Sequence, residues 1–242
     1  MKTMKKLITL AISAIFVMSF SACHNFNIKS KKQIRTHLEP NVVHIGYEGL
    51  GHGSGFIINY NGNRFIVTNS HVCQIAVNNI LEVKSNLNED KYLVHVIKRD
   101  RLHDICITTV PKHLHGNGLY LGMMPNEGDN VFVLGFPLGN RKTFVFGEYT
   151  GEVIIKINYS YNEKECPVKR KTVRGFFGDV VVCQMEMAAG EITSPIYPGN
   201  SGSAVVNNRG LVVGVIFAGN PMSNVSNYMI GVRFLKNLLK SL

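Results

Sequence analysis

The sequence predicts an all-β protein in which two sets of strands are followed by a short C-terminal helix. Twenty-three Gly and eight Pro mark many turns, and the apolar residues between them alternate with polar ones or form short continuous runs. Thirteen Phe and nine Tyr add residues that are frequent in strands. With 242 residues, 45% of them apolar, the chain can bury the core of one all-β unit and carry a short appendage. A helical bundle and a polytopic membrane protein are disfavoured.

The first strand set extends from about residue 40 to 112. Asn61-Gly62 lies between two of its strands and is typical of a tight hairpin turn. The predicted strands are Val42 to Ile45, Gly55 to Ile58, Phe65 to Thr68, Leu81 to Lys84, Tyr92 to Ile97 and Ile105 to Val110.

The second strand set extends from about residue 125 to 232 and follows a linker at 111–125, where Pro, Gly, His and Asn cluster without periodicity. Two strand sets around a linker indicate two barrels or sandwiches packed together. The C-terminal segment, residues 233–242, is predicted to be helical. Its pattern from Phe234 to Leu242 is the one convincing helical pattern of the sequence. The strands of this set are Val131 to Leu134, Thr143 to Phe146, Glu152 to Ile157, Lys171 to Phe177, Val180 to Glu186, Ala204 to Val206, Leu211 to Phe217 and Tyr228 to Val232.

The N-terminus has the pattern of an export signal over residues 1–22. A basic segment, Met1 to Lys6, precedes fourteen apolar residues, Leu7 to Phe20, which is short for a membrane-spanning helix of about twenty. The segment Phe20-Ser21-Ala22-Cys23 resembles a bacterial lipobox, although that motif usually has Leu in place of Phe20. The resemblance implies that Cys23 is lipidated and anchors an exported lipoprotein to the membrane, with residues 23–39 as a tether. Plain secretion and a retained anchor are the alternatives.

The charge of the chain indicates surface chemistry rather than nucleic-acid binding. The formal net charge is +10, and loss of Lys2, Lys5 and Lys6 with the signal removes three charges and leaves +7. No helix-turn-helix pattern, RNA-binding aromatic motif or finger spacing is present, so we expect no nucleic-acid partner. The basic stretch from Lys164 to Arg174 is interpreted either as a solvated hairpin tip or as a surface for an anionic partner.

Four cysteines besides Cys23 are present, at 73, 106, 166 and 183. In an exported chain they permit two disulfides with three connectivities, and four free or buried thiols are the alternative. The chain has no C-x-x-C, which argues against a structural zinc site, and we expect neither a metal nor a cofactor.

Three segments supply the parts that acyl transfer by a serine requires. His71 ends a polar turn after a buried strand, Asp104 opens an apolar strand, and Ser201 lies in a turn without bulky side chains, Pro198 to Ala204. The glycines of this turn allow backbone N–H groups to converge on an oxyanion, with those of Gly199 and Ser201 as the expected donors. Each segment alone is weak, but the three together on an exported all-β chain predict a nucleophilic hydrolase.

The chain resembles a trypsin-like (chymotrypsin-fold) serine peptidase, most closely the catalytic domain of the HtrA/Deg family, over about residues 40–240. The resemblance implies a chymotrypsin-like fold of two packed six-stranded antiparallel β-barrels with the site in the cleft between them. The similar segments are Gly53 to Ile58, Phe65 to Val72, Gly128 to Val131, Leu134 to Gly139 and Pro198 to Gly202.

By this resemblance Ser201 is the nucleophile, His71 the general base and then acid, and Asp104 the carboxylate that orients the imidazole. Asn200 stands where trypsins have the Asp that pairs with a newly cut N-terminus, which suggests that no such activation switch is needed. Ser203 replaces a usual Gly. Because the chain ends at Leu242, we expect no PDZ domain and no oligomer-gated regulation of the HtrA/Deg kind.

The predicted function is that of a serine endopeptidase acting on exposed or unfolded protein segments. Its substrate pocket is expected between the strand residues Phe217, Ala218 and Gly219 and a wall formed by Ser194 and Pro195. None of these side chains is acidic, which favours apolar residues before the cleaved bond. The alternative is a catalytically silent lipoprotein of the same fold that binds peptides or an anionic surface partner.

Overall fold

The computed structural model of the protein describes residues 29–47, 51–87, 90–139, 142–159, 170–175, 178–219 and 227–242. The predicted signal peptide, Cys23 and Cys166 lie outside these ranges, as do residues 164–169 of the basic stretch. Within the described ranges, Cys73 and Cys106 form a disulfide.

The first six strands close into an antiparallel barrel, which we call barrel 1. Its strand order is β1-β2-β3-β6-β5-β4. At the β2–β3 turn both Asn61 and Gly62 have positive φ, 52° and 80°, which is the backbone that a two-residue hairpin turn requires. The strands are β1 Val42–Tyr47, β2 Gly51–Tyr60, β3 Asn63–Thr68, β4 Ile80–Ser85, β5 Lys91–Asp100 and β6 Ile105–Thr108.

The remaining strands form barrel 2, in the order β13-β12-β11-β7-β8-β10, which is closed by pairing of β13 with β10. Strand β9 pairs only with β10 and extends outside the barrel as one arm of a hairpin. The strands are β7 Asn130–Gly135, β8 Thr143–Tyr159, β9 Arg170–Gly175, β10 Gly178–Ile192, β11 Ala204–Asn207, β12 Val212–Gly219 and β13 Asn227–Gly231.

Strand β8 corrects one expectation, because the two predicted strands at 143–146 and 152–157 are a single strand of 17 residues. Thr150 has no paired residue in β10, because the register shifts between Glu191, which pairs with Gly151, and Ile192, which pairs with Tyr149. The neighbouring Gly151 has φ +127°. Such a bulge bends a strand without ending it. The gap between the two predicted strands is therefore a bulge within one strand.

A helix, α1 (Lys31–Leu38), corrects the predicted tether at 23–39. Ser30 and Gln33 form a capping box at its start, and Ile34 and Leu38, one turn apart, are completely buried in the core. The chain from Ser30 onward is thus part of the folded domain, and the tether stays a prediction only for the residues before the described range. The other helix is α2 (Val232–Leu239), and short 3-10 turns span Glu39–Asn41, Val72–Ile75 and Pro137–Gly139. Neither described α-helix has the length and apolar character that would let it cross a membrane.

The linker holds the two barrels together by hydrogen bonds on both sides. Leu119 N donates to Ile57 O at 2.8 Å on barrel 1, and Val212 N of barrel 2 donates to Tyr120 O at 2.9 Å. Gly118, with φ +84°, has no room for a side chain, since a Cβ would lie 2.6 Å from the backbone of Ile58. The largest hydrophobic cluster contains residues of both barrels and both helices. The barrels therefore share a core, and the groups at their junction have fixed relative positions.

Candidate active site

His71 and Asp104 form a hydrogen-bonded pair at the edge of barrel 1. His71 Nδ1 lies 2.7 Å from Asp104 Oδ2, and the backbone N–H of His71 donates to Asp104 Oδ1 at 2.8 Å. Asp104 is completely buried, whereas 29% of the His71 side chain is exposed. Both carboxylate oxygens thus bind one residue, and the imidazole presents its other edge away from the carboxylate.

The backbone around this pair is held by an amide side chain and by a disulfide. Asp104 has φ +52°, an uncommon conformation for a residue with a side chain, and its carbonyl accepts a hydrogen bond of 3.0 Å from Asn69 Nδ2. The disulfide joins Cys73 to Cys106, each two residues beyond a member of the pair. Closing a loop of this length, 33 residues, stabilises a fold by about 3–4 kcal/mol in the chain-entropy model. The bond ties the His71 segment to the Asp104 segment.

The pKa of His71 is raised above its ordinary value. Burial alone lowers this pKa, but the negative charge of Asp104 and the hydrogen bond to it outweigh the effect of burial. The charged imidazole is therefore stabilised in the place where a proton taken from a nucleophile would arrive.

Ser201 lies in the turn between β10 and β11, which packs on barrel 1. Ser54 N, in β2, donates to Ser201 O at 2.8 Å, and the Ser201 hydroxyl points toward Phe217 O at 3.5 Å, the long limit of a hydrogen bond. A Cβ on Gly53 would lie 2.7 Å from Val72 Cγ2 and 3.2 Å from Ser201 O. The residue after His71 and the carbonyl of Ser201 thus both contact the same glycine, and the three predicted segments meet at the junction of the barrels.

Two glycines give the Ser201 turn its shape. Gly199 and Gly202 have φ +94° and +87°. A Cβ on Gly202 would overlap Ser54 O and Thr68 Oγ1, so only Gly allows this close approach of the two barrels.

The N–H groups of Gly199 and Ser201 bind no acceptor within the described part of the chain, whereas those of Asn200, Gly202 and Ser203 are all used by backbone carbonyls. The Gly199 carbonyl is held by the buried Ser54 hydroxyl at 2.7 Å. The two unused N–H groups are those predicted as oxyanion donors.

Sequence reasoning missed several polar residues that support the site. Ser54 accepts from Phe136 N at 2.9 Å while it donates to Gly199, and Thr68 donates to Ser54 O at 2.7 Å. Arg99 donates to both Ser70 Oγ and Ser70 O, at 3.1 and 2.9 Å, just before His71. A Ser between Gly53 and Gly55 was the available signal for Ser54, because a run of small residues indicates close backbone approach; nothing in the sequence indicated Arg99.

The predicted pocket residues lie in two different environments. Phe217 and Ser194 are buried, and Pro195 is exposed, while Ala218 and Gly219 continue β12. Asn227 Nδ2 donates to Ser194 O at 2.8 Å, yet Asn227 Oδ1 and Ser194 Oγ are buried without a hydrogen-bond partner among the described residues. The pocket region is therefore less apolar than the sequence indicated. Nowhere in the described residues do three His, Cys, Asp or Glu side chains come together as a metal site would require.

Comparisons with known proteins agree with this architecture. The family model of the trypsin-like peptidase domain matches residues 53–215. A "Serine protease HtrA-like" protein of Staphylococcus aureus (strain USA300) is 28% identical over 201 residues, which cover 78% of this chain and 23% of that protein. A "Serine protease DegP homolog" of Plasmodium falciparum is 25% identical over 190 residues, 77% of this chain and 19% of that protein. The chain thus spans about a fifth of the length of these relatives.

Solved structures share the fold at lower sequence identity. The active form of the Rv3671c protease from M. tuberculosis has a TM-score of 0.64 and 22% identity, covering 86% of this chain and 82% of that one. The serine endoprotease from Yersinia pestis has a TM-score of 0.63 and 19% identity, covering 88% and 66%. The predicted chymotrypsin-like architecture of two six-stranded barrels is confirmed.

The His71–Asp104 pair predicts a pH-dependent contribution to stability. Because the pKa of His71 is raised in the folded state, the pair stabilises the fold fully below the ordinary His pKa of about 6.5, and this contribution is lost as the pH rises through the raised pKa. We expect Asp104→Asn to lose more unfolding free energy at about pH 5.5 than at about pH 9. Denaturant unfolding of Ser201→Ala protein, with and without Asp104→Asn, measures the two losses. Equal losses at the two pH values would contradict the raised pKa.

Proposed function

Because this chain belongs to the trypsin-like peptidase domain family, we propose that it is a serine endopeptidase that hydrolyses exposed or unfolded protein segments through Ser201, His71 and Asp104. The observation that carries the proposal is the completely buried carboxylate of Asp104, which binds the partly exposed imidazole of His71 through one oxygen and the backbone N–H of His71 through the other. A buried carboxylate paired this way fixes the tautomer and the orientation of the imidazole.

In the proposed reaction Ser201 Oγ attacks the carbonyl carbon of the substrate, and its proton passes to His71 Nε2. The positive charge formed on the imidazole is stabilised by Asp104, which already raises the pKa of His71. His71 then returns the proton to the leaving amine, the C–N bond breaks, and an acyl ester remains on Ser201. Water, activated by His71, hydrolyses the ester and restores the hydroxyl.

The oxyanion formed in each addition step is proposed to bind the N–H groups of Gly199 and Ser201. These two donors have no acceptor within the described residues, and the positive φ of Gly199 lets two N–H groups of one turn face the same side. Removing one such donor from a hydrolase costs about 3–4 kcal/mol of transition-state stabilisation. Donors that are already in place need no rearrangement during the reaction.

The alternative is a catalytically silent protein of this fold that binds peptides or an anionic surface partner. Silent members of an enzyme fold usually lack one catalytic residue, whereas His71, Asp104 and Ser201 are all present.

A fluorophosphonate probe tests the catalytic proposal directly, because it reacts with an activated serine by forming an Oγ–P bond and releasing fluoride. We expect labelling at Ser201 and loss of labelling in His71→Ala. As the pH is lowered, the labelling rate should begin to fall at a pH above about 6.5, because the raised pKa keeps His71 protonated at lower pH. Peptide mapping by mass spectrometry locates the label. Ser203→Ala, which alters a buried serine in the same turn, is the control that should still label. A folded protein that stays unlabelled would favour the peptide-binding alternative.

We propose a preference for apolar residues of small or medium size before the cleaved bond. In support, the predicted pocket residues carry no carboxylate that could pair with Lys or Arg, and Ile196 beside Pro195 is buried with the apolar cluster of barrel 2. The unpartnered oxygens of Ser194 and Asn227 can accept a hydrogen bond but cannot neutralise a charge.

Cleavage sites in reduced, alkylated α-lactalbumin, mapped by mass spectrometry, test this preference. We expect Val, Ala, Leu or Ile before most cleaved bonds, because burying an unpaired cation in such a pocket is costly. Cuts that also occur with Ser201→Ala are discounted as contamination. A majority of cuts after Lys, Arg, Asp or Glu would overturn the preference but not the endopeptidase.

We also propose that the protein is exported and anchored to the membrane through lipid on Cys23, which rests on the basic and apolar N-terminal segments and the lipobox-like residues before Cys23. We expect wild-type protein to incorporate labelled palmitate and to sediment with membranes, and Cys23→Ser to do neither. Cys166→Ser is a matched control outside the signal region. Unlabelled wild-type protein would contradict lipidation.

A further inference from the structure

The C-terminal helix α2 contacts the turn that carries Asp104 through a ring stack. Phe234 of α2 lies 4.2 Å from His103, centroid to centroid, with the ring planes 20° apart. His103 immediately precedes Asp104, the residue with positive φ and a fully buried carboxylate. An aromatic side chain of the C-terminal helix therefore packs on the residue next to the carboxylate of the proposed triad.

The turn on which Phe234 packs is internally cross-linked by Asp100. One oxygen of Asp100 lies 2.7 Å from His103 Nδ1, and the other accepts from the backbone N–H groups of Leu102 and His103, each at 3.0 Å. The turn from Asp100 to Asp104 thus moves as one unit, and a contact on the His103 ring constrains the backbone that orients Asp104.

The same helix is attached to barrel 2. Arg233, next to Phe234, lies with its guanidinium carbon 4.7 Å from the centre of the Phe234 ring and pairs with Glu152 of β8 at 2.5 Å. At the end of α2, Lys98 of barrel 1 donates to Ser241 O at 2.6 Å. Helix α2 therefore links strand β8 to the Asp104 turn.

This link matters because the proposed catalytic groups come from different barrels. His71 and Asp104 belong to barrel 1, whereas Ser201 belongs to barrel 2, so the alignment of base and nucleophile depends on how the barrels are held. A residue at positive φ persists only where its surroundings hold it there, and proton transfer is sensitive to errors of about 1 Å.

We propose that Phe234 is a positioning residue that holds the Asp104 turn, and with it the His71 imidazole, in register with barrel 2. The proposal rests on the proposed function for its catalytic consequence, but the placement of Asp104 beside His71 can be tested without any reaction. Phe234 acts through the face of its ring on His103 and touches none of the reacting atoms.

The test compares Phe234→Ala, Phe234→Leu and Phe234→Tyr in the full chain. Alanine removes the ring and leucine keeps apolar bulk without a flat face, whereas tyrosine keeps the stack. Tyr60→Ala is the matched control, because Tyr60 is another partly buried aromatic residue packed on the same hydrophobic cluster, in the β2–β3 hairpin at the far end of β3 from His71. The change in labelling rate in Tyr60→Ala measures the general effect of removing an aromatic ring from this cluster.

With the fluorophosphonate probe, we expect Phe234→Ala to lower the maximal labelling rate at least tenfold and to change the half-saturating probe concentration less than twofold, because alignment and not probe binding is lost. Phe234→Leu should behave like Phe234→Ala, and Phe234→Tyr should restore the wild-type rate. An equal loss of rate in Tyr60→Ala, or wild-type rates in Phe234→Leu, would overturn the proposal.

The pKa of His71, followed by NMR of ¹⁵N-histidine-labelled protein with Ser201→Ala, gives the second measurement. The charged groups that face the altered contact are Asp100 and Arg233, and Asp104 faces His71 itself. A displaced Asp104 raises the pKa of His71 less, so this pKa should fall in Phe234→Ala and be unchanged in Phe234→Tyr. An unchanged pKa in folded Phe234→Ala overturns the positioning role. Failure of wild-type protein to label, with the expected fall in pKa present, contradicts the proposed function and leaves the positioning role supported.

Discussion

The described structure depends on one buried charge, the carboxylate of Asp104. A carboxylate without exposure to water is stable only if its oxygens are satisfied, and both are satisfied by the same residue, His71. Breaking a buried pair of this kind by removing one partner usually costs several kcal/mol. The positive φ of Asp104, the Asn69 hydrogen bond and the Cys73–Cys106 disulfide all hold the segments that make this pairing possible.

The second constraint is the close approach of the two barrels at the Ser201 turn. The backbone of the Ser201 turn approaches β2 and β3 so closely that Gly202 has no room for a side chain. The Ser54 hydroxyl bridges the junction, because it donates to Gly199 O and accepts from Phe136 N of barrel 2, while Thr68 holds Ser54 O within barrel 1. Hydrogen bonds that satisfy buried polar groups across a junction help to fix it. Rigidity at this place keeps Ser201 beside the His71 segment.

Local pattern was sufficient for most strands and for the hairpin at Asn61-Gly62, because alternation and turn residues act within a few positions. It was insufficient where tertiary contacts override local preference. The segment before Pro40 is polar, and a tether was predicted there. Ile34 and Leu38 are nevertheless buried in the core, and the segment that carries them is a helix. Two strands were predicted at 143–146 and 152–157, yet pairing with β10 continues between them through a bulge.

The sequence by itself determined the chemistry available to the protein. Local patterns were enough to single out His71, Asp104 and Ser201 as candidate catalytic residues, because strand ends and turns are encoded locally. The same patterns identified the glycines of the Ser201 turn, at 199 and 202. Only the tertiary structure decided which cysteines pair, that Asp104 gives both oxygens to His71, and that α2 stacks Phe234 on His103. These contacts join residues tens to more than a hundred positions apart, and their geometry is set by how closed barrels pack, which no local pattern specifies.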